Sequence, residues 1–448
     1  MKSLIDKKLL VIIFIAYTFI IFKTCLVLYE NFSYKSLDLG IFSQSLYSTL
    51  NGKFMYNTVE AQLYSAPNHF AVHFQPILLL LLPVYAIMPS PVVLLLIQAI
   101  FLALSATLAL LIACEELNHR EAILVASLYI FNSSLLGIAL FEFHPVSLAV
   151  PLFFIAYMLL KRGKMKLFYL TSVLILLTKE DSFLGVVSLS LWKILMDGLN
   201  PESFRKNRGL ILLSIASMMY GIIVIKVVIP HLGMGYIYES LYSEFELTRR
   251  KLLYFIVFNA SFGFLTFLSS KGLVSVALPW LESMLSSRDT QTMIGFHYPY
   301  MLLPLSYLVA IEGFKKSKKV AVSLIVAGIL TSMATIPITF KPPKAENPLI
   351  HFAVLKPIPG KDASWEAITI VKTLEGPIYT QPEFYPHLST RIDVYVYPKG
   401  IKPRVILVNL NTWNGKRAIK RLKDFRIKLE EYKTVFKKDG VVIFIRKA

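Results

Sequence analysis

What most constrains this chain is a series of apolar runs, each of helical length, separated by polar connections. The first ends near residue 29, and others cover 76 to 88, 91 to 114, 121 to 141, 146 to 160, 167 to 178, 182 to 197, 210 to 229, 253 to 270, 272 to 286, 298 to 313 and 320 to 339. With 55% hydrophobic and only 17% charged residues, the chain carries more apolar surface than soluble domains of this length bury. The expected fold is an α-helical polytopic membrane protein. The net charge of +19 does not point to nucleic acid, because lysines and arginines gather at the ends of the runs and in the last quarter of the chain, as membrane flanks do. Cys25 and Cys114 sit far apart in apolar stretches and build neither a disulfide framework nor a thiolate metal site.

The basic connections set the topology. Lys161-Arg162-Lys164-Lys166, Arg205-Lys206-Arg208 and Lys315-Lys316-Lys318-Lys319 belong on the cytoplasmic side, as does the start with Lys2, Lys7 and Lys8. If all twelve runs crossed, the three connections would fall outside. The run 76 to 88, bounded by Pro76 and by Pro89-Ser90-Pro91, reaches only roughly 20 Å against a hydrocarbon core of about 30 Å. It is therefore expected to be interfacial or re-entrant, inside a first external loop of residues 30–90. About 11 transmembrane helices remain, with the N-terminus cytoplasmic. No small-x-small cleavage site follows the first run, which reads as a signal anchor.

Residues 1–339 thus form a membrane domain and 340–448 a soluble α/β or α+β domain outside the cell membrane, marked by shorter apolar runs and Pro342, Pro343, Pro348, Pro357, Pro359 and Pro377. Within it, Val405 to Leu410 predicts a buried strand and Arg417 to Tyr432 a helix. Tyr432 to Phe436 and Val441 to Ile445 predict a hairpin with a primed turn at Asp439-Gly440.

Several polar residues interrupt the apolar pattern, where charges are costly unless paired or facing a wet cavity. Asp38 lies in SLDLGIFSQSLY, an amphipathic stretch suited to the membrane surface. Desolvation there raises a carboxyl pKa and suits a general base; the plainer reading is a helix N-cap. Lys179, Glu180 and Asp181 split one apolar stretch from Leu167 to Trp192 and mark a turn. The short helix before it, roughly 18 Å long, leaves that turn recessed as the floor of a cavity, unless Lys179 only closes a helical hairpin.

Glu142 and His144 in FEFHP end another span and could share a metal or a phosphate, although two ligands do not make a metal site. His69 and His73 stand four apart, but Pro67 and Pro76 leave barely two turns, so interfacial histidines are the default reading. Arg249-Arg250 closes a tyrosine-rich loop and either grips a phosphate or anchors the next helix to head groups. His297 opens the tenth span. All of these fall on the external side, although the topology rests on none of them. No P-loop, dinucleotide fingerprint, nucleophile elbow or HExxH is present.

The segments DLGIFSQSLY, HFQPILLLLLPVYAIMPSP, FEFHP, TKED, HYPYMLLPLSYLVAIEG and YPHLSTR resemble, in order and spacing, the archaeal and bacterial membrane family of unknown function DUF2079, from about Asp38 to about Arg391. That family is similar to the GT-C superfamily of polyprenyl-phosphate-sugar-dependent glycosyltransferases. The resemblance implies a catalytic acid in the first external loop, at Asp38, and lipid-phosphate-binding groups at His73, His144 and Lys179. The chain departs from the pattern at Ser43, where an acid is expected, and at Gln75, where serine is expected.

Together these readings give a membrane glycosyltransferase-like protein that moves a sugar from a polyprenyl-phosphate donor to an external acceptor hydroxyl. Asp38 is the base, and His73, Glu142, His144, Lys179, Glu180, Asp181, Arg250 and His297 contact substrate. The sequence leaves a divalent metal ion, the sugar, the acceptor and the oligomeric state open. The same residues also suit the vestibule of a lipid or solute transporter, or a membrane-anchored scaffold or sensor.

Overall fold

The structure, a computed structural model, describes residues 7–343 and 346–447. Helical structure occupies most of every apolar run. Three helices among the described residues are long and apolar enough to cross a membrane: Lys7–Glu30, Pro91–Glu116 and Arg208–Leu232. Pro91–Glu116 is the central post, with 61% of its most apolar window buried, and Lys7–Glu30 lies against it with only 11% buried. Two bent pairs, Thr58–Ala71 with Pro76–Ile87 at 77° and His119–Ile130 with Ser133–Leu140 at 45°, raise the number to five if each is one span.

The other bundle helices are Val146–Lys161, Met165–Leu176, Phe183–Asp197, Arg249–Ser261, Ser270–Leu285, Leu302–Lys316 and Lys318–Ala334. At about 1.5 Å per residue the longest of them is roughly 26 Å, short of the ~30 Å core. Apolar character runs past their ends into connections: the run 253 to 270 stops being α-helical after Ser261, and Phe264 is left-handed with φ 52°. The segment 76 to 88 folds as a 3-10 turn, Pro76–Leu81, followed by Leu82–Ile87, and it meets Thr58–Ala71 at the 77° bend of a broken span or a re-entrant loop.

The bundle has two chemically different ends. At one, the basic connections are tied down by acids: Glu116 pairs with both Lys161 and Lys315, Glu115 with Arg162, and Glu121 with Lys318 at 2.7 Å. At the other lie the first long loop, the turns 141–145 and 177–182, the loop 286–301 and the C-terminal region.

That region is a five-stranded sheet in the order Val394–Tyr395, Ile378–Thr380, Val405–Asn409, Val441–Arg446, Tyr432–Lys438. The first three strands are parallel and the last two form an antiparallel hairpin. Lys361–Lys372 packs on one face and Trp413–Asp424 on the other. Val405–Asn409 is buried throughout, and Asp439 (φ 48°) and Gly440 (φ 82°) give the hairpin its primed turn.

The helix expected over 417 to 432 is shifted. It starts at Trp413, where the Thr412 hydroxyl accepts the Gly415 N–H at 3.0 Å, and ends at Asp424. Arg426 turns left-handed (φ 58°), and the Ile427 N–H closes back on the Leu422 carbonyl at 2.9 Å. This is a Schellman-type stop made without glycine.

The sheet does not stand apart from the membrane domain. Phe32, Ile41 and Val59 of the first loop are buried in the same core as Ile378, Leu407 and Ile443. Gln44 Nε2 donates to the Arg391 carbonyl at 2.7 Å, Ser389 Oγ donates to Ser43 Oγ at 2.8 Å, and the Thr58 hydroxyl donates to the Val394 carbonyl. Deleting residues 340–448 is therefore expected to prevent stable folding. Uncovering three apolar side chains alone costs about 5 kcal/mol. Size-exclusion chromatography in detergent should show the shortened chain aggregated, and a monodisperse peak would mean the cores separate.

Candidate functional site

The first loop returns to the bundle in a wide turn, Ser36–Gly40, that carries Asp38, followed by the helix Ile41–Leu50. Two contacts hold this turn. The Tyr385 ring covers Gly40 so closely that a Cβ there would come within 2.5 Å of Cδ1, so only glycine fits. Beneath it, the Lys35 and Leu39 N–H groups donate to Glu142 Oε1 and Oε2 at 2.9 and 2.8 Å. The stretch after Asp38 does not lie on a surface, since Leu39, Ile41, Phe42 and Leu46 are all buried. Asp38 caps no helix either: neither the turn nor the helix after it has a side-chain cap.

Asp38 stands in the wall between two cavities. The first, about 450 Å³, is lined by His69, His73, His144, Lys179, Arg288 and His297, with Glu60, Tyr64, Tyr238 and Tyr298. The second, about 660 Å³, lies between the bundle and the segment 351–359, and is lined by Glu142, Lys35, His351, Lys356 and many apolar groups such as Leu28, Leu140 and Phe352. Leu37, Phe141 and Phe296 complete the shared wall.

In the first cavity, the His144 and His297 rings stack at 3.7 Å and 15°. Burial, then His297 for His144 and Lys179 for both, holds the two well below the usual imidazole range, so they are neutral rings. His144 Nδ1 accepts the Val146 N–H at 3.3 Å, which leaves its other nitrogen as the donor. His297 Nδ1 is buried and has no partner among the described residues.

His73 Nδ1 meets Glu180 Oε1 at 2.7 Å, and its ring stacks on Tyr238 at 4.6 Å. Burial alone would raise the Glu180 carboxyl, but His73 and Lys179 outweigh it and hold it down to about 2. Lys179 is tied to Asp181, which also accepts the Tyr300 hydroxyl. Arg288 lies over the Tyr238 ring at 4.7 Å and donates to the Tyr298 hydroxyl at 3.0 Å, without a carboxylate partner among the described residues. Asp38 is pushed up to about 7, chiefly by its low-dielectric setting, which Arg288 partly offsets. Glu142 is pushed up to about 8 by burial and then by Asp38.

The structure thus brings Asp38, His73, His144, Lys179 and His297 to one cavity. Glu180 and Asp181 stand behind it, holding His73 and Lys179. Glu142 and His144 face different cavities: the Glu142 carboxyl grips the Asp38 turn and lines the second, His144 the first. Arg250 is spent on Asp289, whereas Arg288 and Glu60, which sequence reasoning missed, line the wall. Glu60 pairs with His69 Nδ1 at 3.0 Å, while Gln75 Oε1 meets His69 Nε2 at 2.9 Å, so both ring nitrogens of His69 are engaged. Among the described residues no three His, Cys, Asp or Glu side chains form a group that could hold a metal ion.

Fold and site define a polytopic α-helical membrane protein whose C-terminal region helps to line one of two adjoining cavities at one end of the bundle. The chain belongs to the family described as predicted membrane protein (DUF2079), which matches residues 28–443, bundle and sheet together. Comparison with curated proteins gives no match.

Proposed function

We propose that the protein is a membrane glycosyltransferase that moves a sugar from a polyprenyl-phosphate donor to an acceptor hydroxyl outside the cell. The Asp38 carboxylate takes the acceptor's proton, the oxygen forms a bond to the anomeric carbon, and the bond from that carbon to the phosphate oxygen breaks with inversion. Arg288 and Lys179 offset the charge of the departing lipid phosphate, with the neutral imidazoles of His144 and His297 as hydrogen-bonding neighbours. The observation that carries this reading is the position of Asp38 between a cavity edged with cations and one with largely apolar walls. A carboxyl raised to about 7 is matched to base catalysis near neutral pH.

The proposal includes eleven crossings, a cytoplasmic N-terminus and an external C-terminal domain. It is supported by the gathering of the basic connections at the end of the bundle opposite Asp38.

The test is transfer from radiolabelled sugars on polyprenyl phosphate by the full chain in lipid nanodiscs. Arg288→Ala should lower transfer by roughly a hundredfold or more, the weight of one preorganised charge at a transition state. Arg288→Lys should restore only part, because lysine lacks the bidentate fork. Turnover unchanged in Arg288→Ala, or no release of polyprenyl phosphate by the unmodified chain, would overturn the proposal.

A further inference from the structure

The bundle end opposite Asp38 has a cavity of its own, about 280 Å³, between the helices Val146–Lys161 and Phe183–Asp197. Its floor is aromatic: Tyr157 and Trp192 stack at 5.6 Å and 16°. Trp192 is only 4% exposed, and its indole N–H has no acceptor among the described residues. A buried donor without a protein partner calls for an explanation, and an acceptor oxygen on a ligand is one.

The rim mixes Lys161 and Lys193 with Glu116 and Glu312, but the charges reachable from outside are mainly the positive ones. The Lys161 and Lys193 side chains are 43% and 29% exposed, against 9% for Glu116 and 21% for Glu312. All four are paired, Glu116 with Lys161 and Lys315, Glu312 with Lys315 at 3.0 Å, and Lys193 with Asp197, so the bias toward positive charge lies in exposure alone. The remaining wall, Leu160, Leu189 and Met196, is apolar.

We infer that this cavity binds the phosphate headgroup of an anionic phospholipid. The phosphate oxygens lie against Lys161, Lys193 and the Trp192 N–H, and the chains run along Leu189 and Met196. Basic pockets between spanning helices on the cytoplasmic side take anionic headgroups on these grounds, and the apolar wall favours a lipid over a free phosphate. The inference rests on the proposed orientation, which puts this end of the bundle in the cytoplasm, but not on sugar transfer at the other end.

Native mass spectrometry of the full chain in detergent, titrated in turn with phosphatidylglycerol, phosphatidylcholine and inorganic phosphate, tests it. One phosphatidylglycerol should bind, phosphatidylcholine should bind far more weakly, and inorganic phosphate should not displace the lipid. Lys193→Gln should weaken binding by about tenfold; Lys206 and Asn207 still hold Asp197 in that variant. Met196→Trp, which narrows the cavity and leaves every ion pair in place, should do the same. Equal binding of both lipids, displacement by inorganic phosphate, or full retention of phosphatidylglycerol by Met196→Trp would each overturn the inference.

Discussion

Asp38→Asn is expected to cut sugar transfer by roughly a hundred- to ten-thousand-fold, the usual weight of a positioned base, while leaving the chain folded. The amide keeps the size of the side chain but cannot accept the acceptor's proton. Because burial raises the Asp38 carboxyl to about 7, transfer by the unmodified protein should rise with pH through that region as the base form fills. Stability should move the other way. A carboxyl raised from its ordinary 3.8 favours the folded state fully below that value, and the contribution is lost as pH climbs through about 7. The Asp38→Asn variant has no such loss, so its melting midpoint in detergent should exceed that of the unmodified protein on the alkaline side of 7. A variant that is inactive but no more stable at alkaline pH would mean that Asp38 is not buried against its charge. A variant as active as the parent would remove Asp38 from the reaction.

The parts of this site that were legible in the sequence are those that break an apolar pattern. Lys179 and Glu180 stand between two stretches that would otherwise be one, Glu142 and His144 sit where an apolar run ends, and His297 sits where one begins. A charge in such a place must be paired or face a cavity, so the sequence carries the signal. Arg288 sits in SSRDT, a polar connection where a charge is unremarkable by composition, and beside Asp289 it reads as a solvated turn. Its role depends on Tyr238 and Tyr298, which arrive from elsewhere in the chain. Arg250 carried a stronger signal, next to Arg249, yet its partner is Asp289, 39 positions away.

The fold shows the same division. Turn chemistry at Asp439-Gly440 is local and was readable, whereas the helix stop at Arg426 has no glycine to announce it. The seam between the first loop and the C-terminal sheet was not readable, since Tyr385 and Gln44 meet across 341 positions. Ser43 gives another case. Measured against the resemblance it is a missing acid; in the structure it bonds to Tyr85 at 2.9 Å and to Ser389, and so helps to join loop and sheet.

Glu142→Ala should have the largest structural effect of any single change at the site, and it separates holding the base from being the base. The carboxylate is the acceptor for two N–H groups of the turn that presents Asp38, and Leu39 is fully buried. Removing it strands both donors, at about 1–3 kcal/mol each, so a loss of about 2–6 kcal/mol is expected, visible as a lower melting midpoint. Transfer should fall with it, because a loosened turn no longer fixes Asp38 against the acceptor. Glu142→Gln is the informative companion. Burial raises both carboxyls and Asp38 raises Glu142 further, so the pair holds a shared proton near neutral pH, and an amide at 142 imitates the protonated partner. The glutamine variant should keep one acceptor oxygen, most of the stability and the rise in transfer near 7, and should lose only the further ionisation near 8. Loss of the rise near 7 in Glu142→Gln would make Glu142 the group that titrates in the reaction. An alanine variant as stable and as active as the parent would show that the turn is held by Tyr385 and its neighbours alone.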